Sequence, residues 1–314
     1  MRESGLRGAV FSVPMFFKKD KSVDIEALKK YLIECLESEG VEAIFSMAYN
    51  TRYRQLTDLE LFEVNKLCCE LANKYDKKAI IGHAYTITNK ELDKYCSDIK
   101  KYKPYAISLL YPERYYGVDS ALIDFFSIPK RSGIPALIHE QKLVSGFNGS
   151  LIDWPENLIN SVLSDSNVIA VKEDSKNDEV TNTVMKLSRE FDFDVIVAGG
   201  GKKRVRKLIK EINLKCWLNG SLMLFPKITK QVCDAYLNND KAFIKWYEKE
   251  IETPYFDQII SKLGWHVGHK LALHVLGYCE LEERAPMPVC TNESIKDFKN
   301  VILNINESVK NLRN

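Results

Sequence analysis

No run of about 18 consecutive apolar residues occurs in this sequence, and the opening Met1-Arg-Glu-Ser-Gly-Leu-Arg7 has no apolar segment of signal type. Neither membrane spanning nor export is expected, and the protein reads as cytoplasmic. An excess of one charge is also missing. The 45 basic and 43 acidic residues leave a formal charge of +2, which gives no footprint for nucleic acid or a membrane surface. The eight cysteines contain no Cys-x-x-Cys pair, so they read as buried thiols in a reducing compartment rather than as a disulfide or zinc framework. His266 and His269 form the one close histidine pair, and with His274 they lie on an amphipathic helix without a cysteine or carboxylate at zinc-like spacing; no metal is expected. A Gly-x-Gly-x-x-Gly turn is absent after the first strand candidate, which argues against a dinucleotide-binding doubly wound sheet.

What is present is a regular alternation. Short apolar runs of strand type occur at 8–14, 42–47, 79–83, 105–110, 135–139, 168–172, 194–198 and 216–219. Stretches of helical period lie between them, among them 23–39, 58–75, 90–101 and 177–191. Two of these open with capping boxes, Thr57-Asp-Leu-Glu60 and Thr88-Asn-Lys-Glu91. Eight strand-then-helix units in 314 residues predict an α/β protein of the (β/α)8 TIM barrel class, because parallel strands need crossover helices. Strand signals stop near residue 223. The expected division is therefore a barrel domain over 1–225 and a C-terminal helical appendage over 226–314, interrupted by an extended piece at 284–289.

In such a barrel the chemistry collects where the strands end. Those ends carry Ala48-Tyr-Asn-Thr51, His83, Tyr111-Pro-Glu113, His139-Glu140, Lys172-Glu-Asp174, Gly199-Gly-Gly201 and Gly220-Ser221. Lys172 is either a working amine or a solvated charge just past its strand. By the period of two, Val168, Ala170 and Lys172 share a face, which directs the amine inward. An amine among apolar groups loses hydration, and its free, nucleophilic form is favoured. Gly199 and Gly200, with the basic run Lys202–Arg206, are either a pocket wall or a phosphate cradle. Ser221 either offers a hydroxyl to the pocket or caps the segment that follows.

Val168-Ile-Ala-Val-Lys-Glu-Asp-Ser175 resembles the Schiff-base strand of the dihydrodipicolinate synthase and N-acetylneuraminate lyase family of (β/α)8 class I aldolases. The segments 8–16, 43–60 and 284–288 resemble its first strand, its carboxylate loop and its C-terminal segment, so the similarity spans about residues 7–300. The resemblance implies an imine on Lys172, a pyruvate-type 2-keto acid substrate, no cofactor, and a homodimer or homotetramer. It also places Tyr111, Tyr115 and Tyr116 in the family's tyrosine loop, and Gly199 and Gly200 against the keto acid.

The departures are specific. Where the family has Gly-Thr-Thr-Gly-Glu, this sequence has Ala48-Tyr-Asn-Thr-Arg52, so Tyr49 and Asn50 replace the hydroxyl pair that binds the carboxylate. His139-Glu140 replaces a Tyr-Asn pair whose tyrosine shuttles protons; an imidazole suits that role, with Glu140 expected either to orient it or to hold its charge. The arginine that binds the second substrate of true dihydrodipicolinate synthases has no counterpart in 141–149, which points away from that reaction. The expected function is a class I aldolase or lyase with Lys172, His139 and Glu140 as catalytic residues and Tyr49, Asn50, Tyr111, Gly199, Gly200 and Ser221 around the substrate. The rivals are a keto-acid sugar dehydratase or hydratase using the same imine, and an inactive barrel serving as a binding protein.

Overall fold

A computed structural model describes residues 5–51, 55–83, 87–112, 118–140, 149–198 and 204–312, the side chain of Tyr49 excepted. Eight strands form a closed, all-parallel barrel in sequence order. They are β1 (Gly8–Ser12), β2 (Val41–Phe45), β3 (Lys78–Ile81), β4 (Ala106–Leu109), β5 (Ala136–Glu140), β6 (Val168–Glu173), β7 (Asp194–Val197) and β8 (Cys216–Leu218). Each coincides with an expected apolar run to within a residue or two. The protein is thus a (β/α)8 TIM barrel.

The crossovers carry α1 (Ile25–Glu37), α2 (Asp58–Lys74), α3 (Asn89–Ile99), α4 (Asp119–Arg131), α5 (Glu156–Leu163), α6 (Asp178–Phe191), α7 (Arg204–Ile212) and α8 (Thr229–Asn238). Both capping boxes form: the side chains of Thr57 and Thr88 accept from the N–H groups of Glu60 and Glu91, whose carboxylates accept from the cap N–H groups in return. The eighth barrel helix, α8, lies beyond the expected boundary at 225, because two short 3-10 turns, Leu222–Leu224 and Pro226–Ile228, occupy the loop after β8. The appendage itself is α9 (Lys241–Tyr247), two π-helical stretches at Glu248–Glu252 and Pro254–Ile260, α10 (Ser261–Val275) and α11 (Asn292–Asn311). Arg284 ties it to the barrel. Its guanidinium donates to both carboxylate oxygens of Glu60 and to the carbonyls of Gln55 and Lys21, and lies 4.8 Å from the Phe17 ring centre.

Two apolar cores hold the barrel. One lies between strands and helices; the other fills the barrel with Val10, Ala43, Phe45, Ile80, Leu137 and Ile196 among others. Full burial of each such branched or aromatic side chain stabilises by about 1.5–3 kcal/mol. The strand-six face differs from the expectation at one residue. The pairing of β5 with β6 slips by one residue between Ala136↔Val168 and Leu137↔Ala170, leaving Ile169 extra. This bulge turns Val168 into the outer core while Ala170 stays inside. Past the bulge the period of two resumes, and Lys172 faces inward opposite His139.

Candidate active site

Lys172 and His139 are cross-strand partners at the C-terminal ends of β6 and β5. The lysine is 2% exposed and the histidine 3%, so both are out of water. Nζ of Lys172 lies 2.7 Å from Nε2 of His139 and donates to Oδ2 of Asp174, also at 2.7 Å. Asp174 Oδ2 is 3.7 Å from His139 Nε2. The Phe45 ring closes the inner side, its centre 5.8 Å from Nζ and 5.7 Å from the imidazole centre. Lys172 therefore faces an ion pair as well as an aromatic wall, where the sequence predicted an apolar slot.

Charge in this cluster is unevenly distributed. Burial, aided by the neighbouring Lys172 charge, brings the His139 imidazole down to about 4, so it is neutral near pH 7. Burial alone pushes the Asp174 carboxyl up, but Lys172 and His139 outweigh it and hold the group well below the usual carboxylate range. A neutral base and a permanent anion thus touch one amine nitrogen.

Glu140 does not orient His139, contrary to expectation. Successive side chains of a strand point to opposite faces, so Glu140 turns away from the barrel when His139 turns in. Its Oε2 accepts from the backbone N–H of Asp174 at 3.0 Å. Its carboxyl is pushed up, first by burial and also by the charges of Glu173 and Asp174. Glu173 likewise faces outward, accepting from the N–H of Ser175 at 2.6 Å and from the Thr181 hydroxyl at 2.7 Å. Two outward glutamates therefore hold consecutive N–H groups of the loop that carries Asp174. Asp174 itself had a local signal: it stands two residues after Lys172, on the same face of the strand.

A second corner of the mouth is built from β1, β2 and the appendage. Asn50 Nδ2 donates to Ser12 Oγ at 3.0 Å, and Asn50 Oδ1 accepts from the Trp265 indole N–H. Ser12 Oγ donates in turn to the Met223 sulfur at 3.5 Å. Thr51 Oγ1 donates to Val13 O at 2.7 Å and accepts from Met47 N at 3.0 Å, which secures a turn where Met47 has a positive φ of 60°. Trp265 stacks between His269, 5.1 Å away, and Phe256, 6.5 Å away. Its ring edge covers Gly220, where an added Cβ would come within 2.2 Å. Ser12 and Trp265 had no signature in the sequence.

Ser221 takes neither expected role: no side-chain cap forms, and its hydroxyl bonds Tyr247 at 2.7 Å and donates to Asn219 at 3.2 Å, joining β8 to α9. Tyr111 packs edge-on against Trp154, 5.0 Å between ring centres, in the outer core. Gly199 and Gly200, the side chain of Tyr49, and Tyr115 and Tyr116 lie outside the described residues. Arg204, in the basic run, is engaged by Ala198 O, Thr181 and Asp178. Among the described residues, no cluster of three or more His, Cys, Asp or Glu side chains has the arrangement of a metal site, and no helix is long and apolar enough to cross a membrane.

Solved structures share this architecture end to end. The 4-hydroxy-tetrahydrodipicolinate synthase of Methylacidiphilum fumariolicum superposes with a TM-score of 0.78 at 16% identity, covering 98% of each chain. The chain shares the dihydrodipicolinate synthase fold. The Thermotoga maritima dihydrodipicolinate synthase has a TM-score of 0.78 at 16% identity, over 96% of this chain and 99% of its own. CdNal from Clostridium difficile, solved in complex with mannosamine, has a TM-score of 0.79 at 13% identity, over 96% and 100%. No family model matches the sequence, and no curated protein matches it significantly. In the dihydrodipicolinate synthase fold the mouth of the barrel is where strands five and six bring His139 and Lys172 together, 33 residues apart in sequence.

Proposed function

We propose that this protein is a class I aldolase or lyase, a divergent member of the dihydrodipicolinate synthase and N-acetylneuraminate lyase family, that forms an imine between Lys172 and a carbonyl substrate. The observation that carries this reading is a buried lysine amine at the mouth of a (β/α)8 barrel, 2.7 Å from a histidine kept neutral by burial. Starting from the ammonium paired with Asp174, Nζ passes a proton to Nε2 of His139, and the amine attacks the carbonyl carbon. The imidazolium protonates the oxygen that becomes the hydroxyl. His139 then takes a second proton from nitrogen and delivers it to that hydroxyl, which leaves as water. Ammonium plus carbonyl becomes protonated imine plus water, and His139 is regenerated. The iminium withdraws electrons from the adjacent carbon, which yields an enamine for forming or breaking a C–C bond.

The finer reading takes the substrate as pyruvate or a related 2-keto acid. It rests on the likeness of the 43–60 region to a carboxylate loop, although the Asn50 amide and Thr51 hydroxyl are both engaged inside the protein. The test is therefore graded. Wild type and Lys172→Ala are incubated with borohydride and, in turn, pyruvate, longer 2-keto acids and carbonyl compounds without an acid group, then peptide-mapped. A reduced adduct on Lys172 alone, absent from Lys172→Ala, is expected. Adducts only with the acid-free compounds would remove the keto-acid reading, and none at all would remove the imine.

A further inference from the structure

Among the described residues Asp174 is the one permanent anion in contact with the reacting nitrogen, and its place is built rather than incidental. Its backbone N–H is held by Glu140 Oε2 at 3.0 Å and that of the next residue by Glu173 Oε1 at 2.6 Å. Glu173 is fully buried and is itself fixed by Thr181 at 2.7 Å, with Arg204 3.7 Å away. The loop is thus pinned by two side chains from the outer face of the barrel, and Asp174 turns inward to Nζ.

We propose that Asp174 is a catalytic residue of the imine reaction, the fixed counter-anion that keeps the buried Lys172–His139–Asp174 cluster at zero net charge through every step. The proposal rests on the imine reading above. At rest the cluster holds ammonium, neutral imidazole and carboxylate. After proton transfer it holds amine, imidazolium and the same carboxylate; after loss of water, iminium, neutral imidazole and the same carboxylate. Each state sums to zero with Asp174 and to one buried positive charge without it. An unbalanced ion in a low-dielectric site is strongly disfavoured, whereas a fixed opposite charge stabilises each cation as it appears. Among the described residues, the other ionisable groups near Asp174 are Glu140 on β5 and Glu173 on β6, both facing outward, with Arg204 of α7 behind Glu173. The position also explains why a histidine can replace a phenol here: the imidazolium is formed 3.7 Å from a carboxylate.

Two measurements test this. Borohydride trapping on Lys172 is followed against pH with pyruvate and the acid-free carbonyl probes. Asp174→Asn is expected to lower the trapping rate by about 10²–10³-fold, and Asp174→Glu to recover part of it. Rates and pH profiles equal to wild type in Asp174→Asn would overturn the proposal. Independently of any substrate, the His139 imidazole is titrated by NMR in Lys172→Met and in Lys172→Met with Asp174→Asn. The counter-anion role requires a lower titration point in the double variant, since a purely structural Asp174 would not move it; equal titration points overturn the proposal. If no carbonyl is trapped by wild type, the imine reading fails on the first measurement while the second still decides whether Asp174 is the charge partner of His139.

Discussion

The two corners of the barrel mouth are both built from hydrogen-bonded polar side chains, and they differ in charge. At strands five and six, Nζ of Lys172 lies 2.7 Å from both His139 and Asp174, an ion pair beside a neutral imidazole. At strands one and two, Trp265, Asn50, Ser12 and Met223 form a neutral chain of donors and acceptors, and Thr51 beside it is held by Val13 O and Met47 N. A satisfied neutral network rigidifies a wall, whereas a buried charge cluster stores the capacity to shift a proton. On the proposed mechanism, reactivity and rigidity are divided between two sides of one opening, and the appendage supplies part of the rigid side through Trp265.

The comparison can be broken most sharply at His139. Replacing it by Gln keeps a hydrogen-bonding side chain beside Lys172 but removes the proton carrier, so trapping on Lys172 should fall by about 10²–10⁴-fold. An unchanged rate measured by adduct mass would move proton transfer to another group. On the rigid side, Trp265→Ala removes a large packed ring and the donor to Asn50. It should destabilise the protein by about 3–5 kcal/mol in denaturant unfolding, while the folded variant still forms the Lys172 adduct. If the adduct vanished in folded Trp265→Ala, the two corners would not be separable.

The smallest expected effect is on pH dependence. His139 is held near 4 in the folded state and returns to about 6.5 when unfolded. The unfolded chain then binds the proton more readily, so the stability is present above about pH 6.5 and is lost as pH falls toward 4. The full effect is on the order of 3 kcal/mol. Thermal unfolding of wild type should steepen downward over that window, and His139→Gln should flatten it; parallel curves would mean that other groups set the acid limit.

Much of this was readable locally. Eight apolar runs at strand spacing, the capping boxes at Thr57 and Thr88, and the lysine closing the sixth run all depend on neighbours within a few residues. Glu140 was misplaced because its adjacency to His139 suggested a partnership that strand alternation forbids. The same alternation marks Asp174, two residues beyond Lys172, as the carboxylate on the correct face. Val168 was misplaced because a bulge depends on the partner strand and leaves no mark on the run itself.

By itself, then, the sequence determined the alternation of strand and helix, the closed-barrel class and the presence of an amine at the end of strand six, since periodicity and capping are short-range properties of the chain. Only the tertiary structure decided what that amine touches. Lys172 meets His139 through strand register, Asn50 meets Trp265 across 215 residues, and Ser221 is taken by Tyr247 rather than by the mouth. Such pairings follow from how distant segments pack, because a buried polar group takes whichever partner the fold brings within hydrogen-bond reach.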